Sequence, residues 1–266
     1  MTRREVVEAE RIVVKVGSSS ISGDNAQQIV PLVDALAETH GHGTQVVLVS
    51  SGAIATGMPY LHLEARPTDL ATQQAAAAVG QNLLVFRYQQ QLDRSAIVAG
   101  QVLLTAGDLE NPTSRSNAQR AMERLLALRI LPIVNENDTV ATHEIRFGDN
   151  DRLAAMVSEL LGADLLVLLS DVDALYTRPP GTPGARPIDR VPFDDDLAGV
   201  ELGDIGSAGV GTGGAGTKIA AAKLAAAAGT PVLLASTTQV ADALAGAEIG
   251  TWFDAKPPGH VRQLVE

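Results

Sequence analysis

Two lysines stand in sequence settings that disfavour a positive charge, and each lies beside glycines. Lys15 interrupts the apolar run of RIVVKVGSSS, whose β-branched residues predict a buried strand. A buried ammonium is costly unless an anion is next to it. Lys218 follows GVGTGGAGT and opens an alanine-rich helix, at the end where the helix dipole disfavours cations. Either lysine alone could be a solvated side chain; together they predict two positive groups around a bound phosphate.

The glycine-rich segment before Lys218 does not fit a P-loop. Gly211 and Gly216 have the spacing of GxxxxGK[ST], but Thr217 separates Gly216 from the lysine, and Ile219 stands where a magnesium-binding hydroxyl is required. A glycine-rich turn that leads into a helix and is followed by lysine still suits a nucleotide phosphate. The structural alternative is a flexible linker.

The segment NENDTVATHEIRFGDNDR follows a predicted core strand and is rich in polar chemistry. Asp151 could orient both lysines. The side chains of Asn135, Asp138 and Asn150 could bind the ammonium and carboxylate groups of an amino acid. Helix capping is the alternative around Asp151, because acids suit the first turn of a helix, and the two roles are compatible.

Two further glycines, Gly17 and Gly52, lie where a strand turns towards a helix. Backbone amides at such turns can approach an anion closely, although glycine also occurs there for geometry alone. Both turns could line one phosphate groove.

The elements around these groups alternate between short apolar runs and longer helical stretches, which predicts an α/β fold with a mainly parallel sheet. Polar residues repeatedly follow the strands, where ligands bind in open parallel sheets. The predicted strands are 12–16, 45–49, 97–104, 131–134, 165–169 and 231–234. The predicted helices are 26–39, 70–91, 115–128, 152–161, 218–228 and 238–245. Segment 176–216, rich in Pro, Gly and Asp, predicts a long excursion over one site.

Composition excludes several classes of function. The 266 residues include no cysteine, which excludes disulfides and thiol catalysis, and the five histidines form no metal-ligand pattern. A net charge of −11 argues against a nucleic-acid surface. No membrane span, signal-peptide core, repeat or linker is visible. We therefore expect one cytoplasmic domain over residues 1–266.

The motifs KVGSS, SSGAIATG, AAVGQ, GQVLLT, NENDTVAT, FGDND, LLSDVDALY, GTGGAGTK and IGTWF follow one another between residues 11 and 254. In this order they resemble the amino acid kinase family, most closely its glutamate-phosphorylating members, which pair NENDTVAT with GDND. The resemblance implies a three-layer sandwich around a mainly parallel sheet. It also implies ATP- and Mg²⁺-dependent phosphorylation of the side-chain carboxylate of L-glutamate, the first step towards proline.

The resemblance also implies roles for individual residues. Lys15 and Lys218 would neutralise the transferred phosphoryl group, and Asp151 would hold both lysines. The implied glutamate ligands are Ser51, Asn135, Asp138 and Asn150. The implied phosphate and nucleotide contacts are Gly17, Gly52, Ser170, Asp171, Thr212, Gly213, Gly214, Ala215, Gly216 and Thr217. Two positions depart from the family pattern: Ser170 replaces a threonine, and Ala215-Gly216 replaces a methionine followed by Ala or Ser.

The family further implies a homo-oligomer, a dimer or tetramer. The instability of an acyl phosphate predicts transient contact with glutamyl phosphate reductase, and composition predicts no membrane or nucleic-acid partner. Many bacterial members carry a C-terminal PUA domain, which we do not expect in residues 1–266. Two alternatives remain. One is a sister kinase such as acetylglutamate kinase, which should lack the NENDTVAT and GDND pairing. The other is a non-catalytic amino-acid sensor, which should have lost a lysine or Asp151.

Overall fold

The computed structural model describes residues 2–140, 150–201 and 214–257. Its strands are β1 (Arg11–Val16), β2 (Gln45–Ser50), β3 (Ala99–Leu104), β4 (Leu131–Glu136), β5 (Leu165–Ser170), β6 (Leu175–Tyr176), β7 (Pro187–Ile188), β8 (Arg190–Val191), β9 (Val232–Ser236) and β10 (Thr251–Phe253). Its α-helices are α1 (Ile29–Gly41), α2 (Ala53–Gly57), α3 (Leu70–Leu92), α4 (Ala106–Glu110), α5 (Pro112–Ala127), α6 (Asn150–Leu161), α7 (Ala215–Ala227) and α8 (Val240–Leu244). Short 3₁₀ helices cover Arg3–Glu8, Ser18–Ser20, Gly23–Gln28, Met58–Leu61, Asp93–Ser95 and Thr237–Gln239.

All six predicted strands and all six predicted helices are present, with ends shifted by a few residues. The largest shifts lie at helix starts. α1 begins late because the 3₁₀ helix Gly23–Gln28 occupies the predicted first turn. α5 begins early, at Pro112, because the side chain of Asn111 accepts hydrogen bonds from the amides of Thr113 and Ser114. A capping asparagine followed by proline is a favourable helix start.

The central sheet has eight strands among the described residues, in the order β3-β4-β2-β1-β5-β9-β10-β8. Every neighbouring pair is parallel except β9 and β10. From β1 the chain moves to one side through β2, β3 and β4, and then crosses to place β5 on the other side of β1. This reversal creates a crevice at the carboxyl ends of β1 and its neighbours.

Both faces of the sheet are covered, which gives the three-layer α/β sandwich. Ile12, Val14 and Val16 of β1 point into the core formed with α1, α3 and α8. Val13 points to the opposite core, formed with α5, α6 and α7. Side chains alternate along a strand, so Lys15 lies on the same face as Val13. The alternation directs its ammonium towards the layer that contains α6 and α7.

Helices α2 and α3 cross at very short range because each contributes a glycine. A Cβ atom on Gly80 would overlap the carbonyl oxygen of Ala53, and one on Gly57 would overlap that of Ala76. A side chain at either glycine would therefore force the two helices apart. The crossing holds the N-terminal half of α3 beside the loop that follows β2.

The predicted excursion 176–216 is partly ordered into strands. β6 and β7 form a separate antiparallel pair, while β8 joins the edge of the central sheet by pairing with β10. Single-segment periodicity could not reveal β8, because two residues carry no repeating pattern. Among the described residues, no helix combines the length and hydropathy that a membrane crossing requires.

Candidate functional site

A buried carboxylate between two buried lysines lies at the carboxyl end of β1. The Nζ atom of Lys15 is 2.5 Å from Oδ1 of Asp151, and Nζ of Lys218 is 3.3 Å from its Oδ2. Their exposed fractions are 3% for Lys15, 7% for Lys218 and 0% for Asp151. The structure thus brings together the three residues that the sequence predicted as a unit, from three separate segments of the chain.

Each member of this cluster is positioned by a regular element. Lys15 is the fifth residue of β1, paired in register with Val49 of β2 and Leu168 of β5. Asp151 lies in the first turn of α6, where the helix dipole favours a negative charge. Lys218 is the fourth residue of α7. A cation there is unfavourable for the helix alone, and its contact with Asp151 supplies the compensation.

The charge state of Asp151 follows from its neighbours. Burial raises the pKa of a carboxyl group, but the charges of Lys15 and Lys218, with hydrogen bonds from Lys15 and Thr217, hold the pKa of Asp151 below its usual value. Asp151 is therefore ionised at neutral pH. With two ammonium groups against one carboxylate, the cluster keeps one positive charge in excess, a setting that favours a bound anion.

Thr217, which the family resemblance assigned to the nucleotide, contacts the charged cluster directly. Its hydroxyl lies 3.0 Å from Oδ2 of Asp151 and 2.9 Å from the carbonyl oxygen of Gly214. Ala215 and Gly216 complete the first turn of α7, whose N-terminus is a suitable environment for phosphate. The predicted contacts Thr212 and Gly213 lie outside the described residues.

The glycine turns after β1 and β2 lie next to each other. The amide of Ser51 donates to the carbonyl of Val16, and a Cβ on Gly52 would lie 3.5 Å from Cβ of Ser18. Gly52 has φ of +105°, a left-handed conformation that side chains disfavour. A Cβ on Gly17 would lie 3.7 Å from Nζ of Lys15. Both turns therefore border the lysine cluster.

A second polar cluster, formed by amide side chains, lies at the end of β4. Nδ2 of Asn150 donates to Oδ1 of Asn135 at 3.1 Å, and Nδ2 of Asn135 donates to Oε1 of Gln81 at 2.6 Å. All three side chains are at least nine-tenths buried. We call Gln81, Asn135 and Asn150 the amide relay. Two of its members were predicted as glutamate ligands.

Gln81 is the site residue that the sequence reasoning missed. It belongs to the AAVGQ motif, which contributed to the resemblance without yielding a residue role. The available signal was its position: Gln81 continues the buried face of α3, shared with Ala77, Leu84 and Tyr88. A long polar side chain on a mainly apolar helix face requires a buried partner, which here is Asn135.

Asp138 lies beside the amide relay in a cavity of about 250 Å³. The described lining includes Gln81, Glu136, Asn137 and Asp138. Burial raises the pKa of Asp138 to about 6, against the opposing charge of Arg66. Cavities for drug-sized ligands span roughly 300–1,000 Å³, so this one suits a molecule the size of an amino acid.

Ser170 and Asp171 lie at the end of β5, on the far side of β1 from the amide relay. The hydroxyl of Ser170 donates to Asp171, and its carbonyl accepts a hydrogen bond from Thr237 after β9. The predicted site thus divides in two. Asn135, Asp138 and Asn150, predicted as amino-acid ligands, lie towards β4, and Ser170, Asp171 and Ala215 to Thr217, predicted as nucleotide contacts, lie towards β5 and α7.

Comparison with known proteins gives matches along nearly the whole chain. The sequence profile described as "Amino acid kinase family" matches residues 10–236. A protein named glutamate 5-kinase from Clavibacter sepedonicus is 73% identical over 252 residues, covering 95% of this chain and 97% of that protein. The protein of the same name from Streptomyces coelicolor is 56% identical, with 95% of this chain covered but 69% of that longer protein.

The fold has a counterpart among solved structures. The carbamate kinase from Giardia lamblia bound to AMP-PNP superposes with a TM-score of 0.66, covering 94% of this chain and 100% of the other. At 17% identity, this match supports the three-layer fold alone.

Proposed function

The chain belongs to the amino acid kinase family, and we propose that it transfers the terminal phosphoryl group of ATP to the side-chain carboxylate of L-glutamate. Relatives named glutamate 5-kinase at 72–73% identity favour glutamate over the acceptors of sister kinases. The product is an acyl phosphate, L-glutamyl 5-phosphate.

The observation that carries the proposal is the buried cluster of Lys15, Asp151 and Lys218. The substrate carboxylate is already ionised at pH 7, so the transfer needs no general base. The obstacle is electrostatic, since one anion must approach the phosphates of another. Phosphoryl transfer therefore depends on positioning and charge compensation. A preorganised cluster with one excess positive charge meets that need.

Each group in the cluster has a distinct task. A carboxylate oxygen of glutamate attacks the γ-phosphorus, the bond to the bridging oxygen breaks, and ADP leaves with the bond electrons. Lys15 and Lys218 stabilise the negative charge on the phosphoryl oxygens during this exchange. Asp151 fixes the position of both ammonium groups. The turns at Gly17 and Gly52 offer backbone amides to the same phosphate.

Glutamate is proposed to bind on the β4 side of the site. Asp138 accepts the α-ammonium group, and Asn150 and Asn135 orient the polar groups of the substrate. Ser51 lies in the turn between these residues and the lysine cluster. Ser170, Asp171 and the first turn of α7 are proposed to bind the nucleotide, because they lie on the opposite side of β1.

Mg²⁺ enters as part of the nucleotide substrate. Among the described residues, no group of three acidic, histidine or cysteine side chains could hold a metal ion. Mg²⁺ commonly binds through substrate phosphates, a few carboxylates and water, without a dedicated protein cage. The residues of this chain therefore act on the phosphoryl group, and the ion accompanies ATP.

Acyl phosphate formation tests the function directly. Purified protein is incubated with Mg·ATP and each acceptor, and hydroxylamine converts any acyl phosphate to a hydroxamate that is measured alongside ADP. We expect hydroxamate with L-glutamate, and none above background with N-acetyl-L-glutamate, L-aspartate, carbamate or UMP. ADP release without L-glutamate-dependent hydroxamate would refute the proposal.

We also infer that the protein works as a homo-oligomer in the cytoplasm and passes its product to a reductase. The family resemblance supports the oligomer. The instability of an acyl phosphate in water supports rapid consumption by a second enzyme. Sizing chromatography with light scattering tests the assembly, and a monomer at micromolar concentration would refute it.

A further inference from the structure

The polarity of the amide relay is fixed by a backbone group. The amide of Glu136 donates to Oδ1 of Asn135 at 2.9 Å and also approaches Oδ1 of Asn150 at 3.3 Å. A backbone N–H can only donate, so both asparagines must turn an oxygen towards it. Nδ2 of Asn135 then faces α3, and Gln81 must present its oxygen in return. The relay leaves one orientation for each amide.

This orientation leaves the amino group of Gln81 without a protein partner. Its Nε2 atom is buried and has no hydrogen-bond partner among the residues that the structure describes. The whole side chain is 8% exposed. An unmade hydrogen bond on a buried donor is expensive, and native structures rarely retain one without a ligand or water to satisfy it.

Gln81 lines the cavity that also contains Asp138. Because its oxygen is held by Asn135, the amino group of Gln81 is its remaining polar group. The cavity is therefore lined by a residue of α3 that holds an unpartnered buried donor and by a residue after β4 that holds a carboxylate. These two groups are complementary to the carboxylate and ammonium groups that an α-amino acid carries on one carbon.

We propose that Gln81 is a substrate-binding residue whose Nε2 atom donates to the α-carboxylate of L-glutamate, while Asp138 accepts from the α-ammonium group. The assignment rests on the proposed function and names the residue that recognises the non-reacting end of the substrate. The amide relay then connects this contact to α6. There Asn150 directly precedes Asp151, which holds the two lysines proposed to act on the phosphoryl group. Gln81 binds the non-reacting end of the substrate and takes no part in phosphoryl transfer.

The tight crossing of α2 and α3 explains how this contact is kept in place. Gly80, the residue before Gln81, contacts the backbone of α2 so closely that no side chain would fit. α2 itself follows the turn at Ser51 and Gly52. The backbone of Gln81 is therefore held close to the turn beside the lysine cluster.

Gln81→Met tests the proposal, because methionine has a similar length and shape but lacks both polar groups. We expect the KM for L-glutamate to rise about 10- to 100-fold, the range for losing a hydrogen bond to a charged group. The KM for ATP should stay within about twofold. Gln90→Met is the matched control: Gln90 lies on the exposed side of the same helix, so both KM values should stay unchanged.

A substrate analogue separates direct contact from a merely structural role. In 4-aminobutyrate the α-carboxylate of glutamate is missing while the ammonium and the reacting carboxylate remain. Its inhibition constant against L-glutamate should change less than about threefold in Gln81→Met, because the lost donor has no partner on this ligand. Loss of the relay alone would weaken both ligands equally, and that result would overturn the proposal.

The two levels of inference fail in different ways. If the wild-type protein forms no acyl phosphate from L-glutamate, the proposed function is wrong. If the wild type is active and Gln81→Met binds L-glutamate normally, only the role of Gln81 is wrong. Thermal unfolding of the variant is measured in parallel, so that a folding defect is not mistaken for a loss of substrate binding.

Discussion

Two buried polar clusters share the first turn of α6 and extend from it in different directions. Asp151 anchors the charged cluster with Lys15 and Lys218, and the preceding residue Asn150 anchors the neutral amide relay. Successive residues on a helix point about 100° apart, so one helical turn supplies both. The charged cluster faces the ends of β1 and α7, whereas the relay faces β4 and α3.

The two clusters meet two different requirements of one site, which are charge compensation and substrate recognition. Charge compensation acts over several ångströms and tolerates small changes in direction, so it suits the transferred phosphoryl group. Neutral amides act only along hydrogen bonds, so they suit recognition of a substrate with fixed geometry. Damage to the charged cluster should therefore lower turnover, whereas damage on the relay side should raise the glutamate requirement.

Asp151→Asn should have the largest effect, because it removes the carboxylate that two buried ammonium groups share. Removing one partner of a buried ion pair costs about 3–5 kcal/mol. We expect a loss of that size in the free energy of unfolding, measured with urea, together with a large fall in turnover. A variant as stable as wild type would show that the lysines do not depend on Asp151.

Asp151 should also affect how the free energy of unfolding depends on pH under acidic conditions. The pKa of Asp151 is lower in the folded protein than the value of 3.8 for an ordinary aspartate. Protons therefore bind the unfolded chain more readily, so its contribution to stability is present above pH 3.8 and is lost as pH falls through the lowered folded value. Urea unfolding between pH 6 and 3 should show a weaker acid dependence in Asp151→Asn than in wild type.

Lys15→Ala and Lys218→Ala should each lower turnover by about a hundredfold or more, as for other groups that stabilise transition-state charge. The KM for L-glutamate should change much less than turnover, since both lysines contact Asp151 and are proposed to act on the transferred phosphoryl group. Lys223→Ala, on α7 but outside the cluster, is the matched control and should retain full turnover. Near-normal turnover in either test variant would refute the two-lysine mechanism.

Asp138→Asn should act on the glutamate requirement alone. The pKa of Asp138 is raised to about 6 by burial, so its ionised fraction falls from about nine-tenths at pH 7 to one-tenth at pH 5. The KM for L-glutamate in wild type should then rise about tenfold over this interval, since only the carboxylate binds the ammonium well. The variant should have a higher KM at pH 7 and lack this pH dependence. An equal rise in the KM for ATP would contradict the assignment.

Tyr88→Phe should have the smallest effect, because Tyr88 belongs to neither the charged cluster nor the amide relay. The hydroxyl of Tyr88 lies 2.8 Å from that of Ser50, beneath the turn that carries Ser51. Its loss removes one neutral hydrogen bond, worth about 0.5–1.5 kcal/mol of stability. Urea unfolding should show that change with both KM values within about twofold. A fall in turnover like that of a lysine variant would mean that the hydroxyl pair belongs to the catalytic machinery.

Much of the fold was readable in the sequence, because each core element carries its own signal. β1, β2 and β5 are short apolar runs, and the helices between them are long enough to show their boundaries. The short strands β8 and β10 were missed for the opposite reason: two or three residues carry no period, and their pairing comes from distant segments. The starts of α1 and α5 shifted because capping and 3₁₀ geometry override helical periodicity.

The sequence by itself identified the charged cluster. A lysine within an apolar strand and a lysine in the first turn of a helix are both unfavourable without an anion. Asp151 was one acid that could supply it, and the family resemblance implied this role. The energetic penalty of each isolated charge made the partnership predictable. Distances between the three residues were beyond sequence reasoning, as they depend on how β1, α6 and α7 pack.

Only the tertiary structure decided the role of Gln81. The position of Gln81 on the apolar face of α3 indicates that it needs a buried partner, but the sequence cannot say which group supplies it. Its significance arises when the glycine crossing buries α3, Asn135 takes its oxygen, and its amino group is left without a partner in a residue that lines the cavity beside Asp138. A charged residue within an apolar segment shows from the sequence alone that it needs a partner. A neutral hydrogen-bonding group needs one only after the fold has buried it.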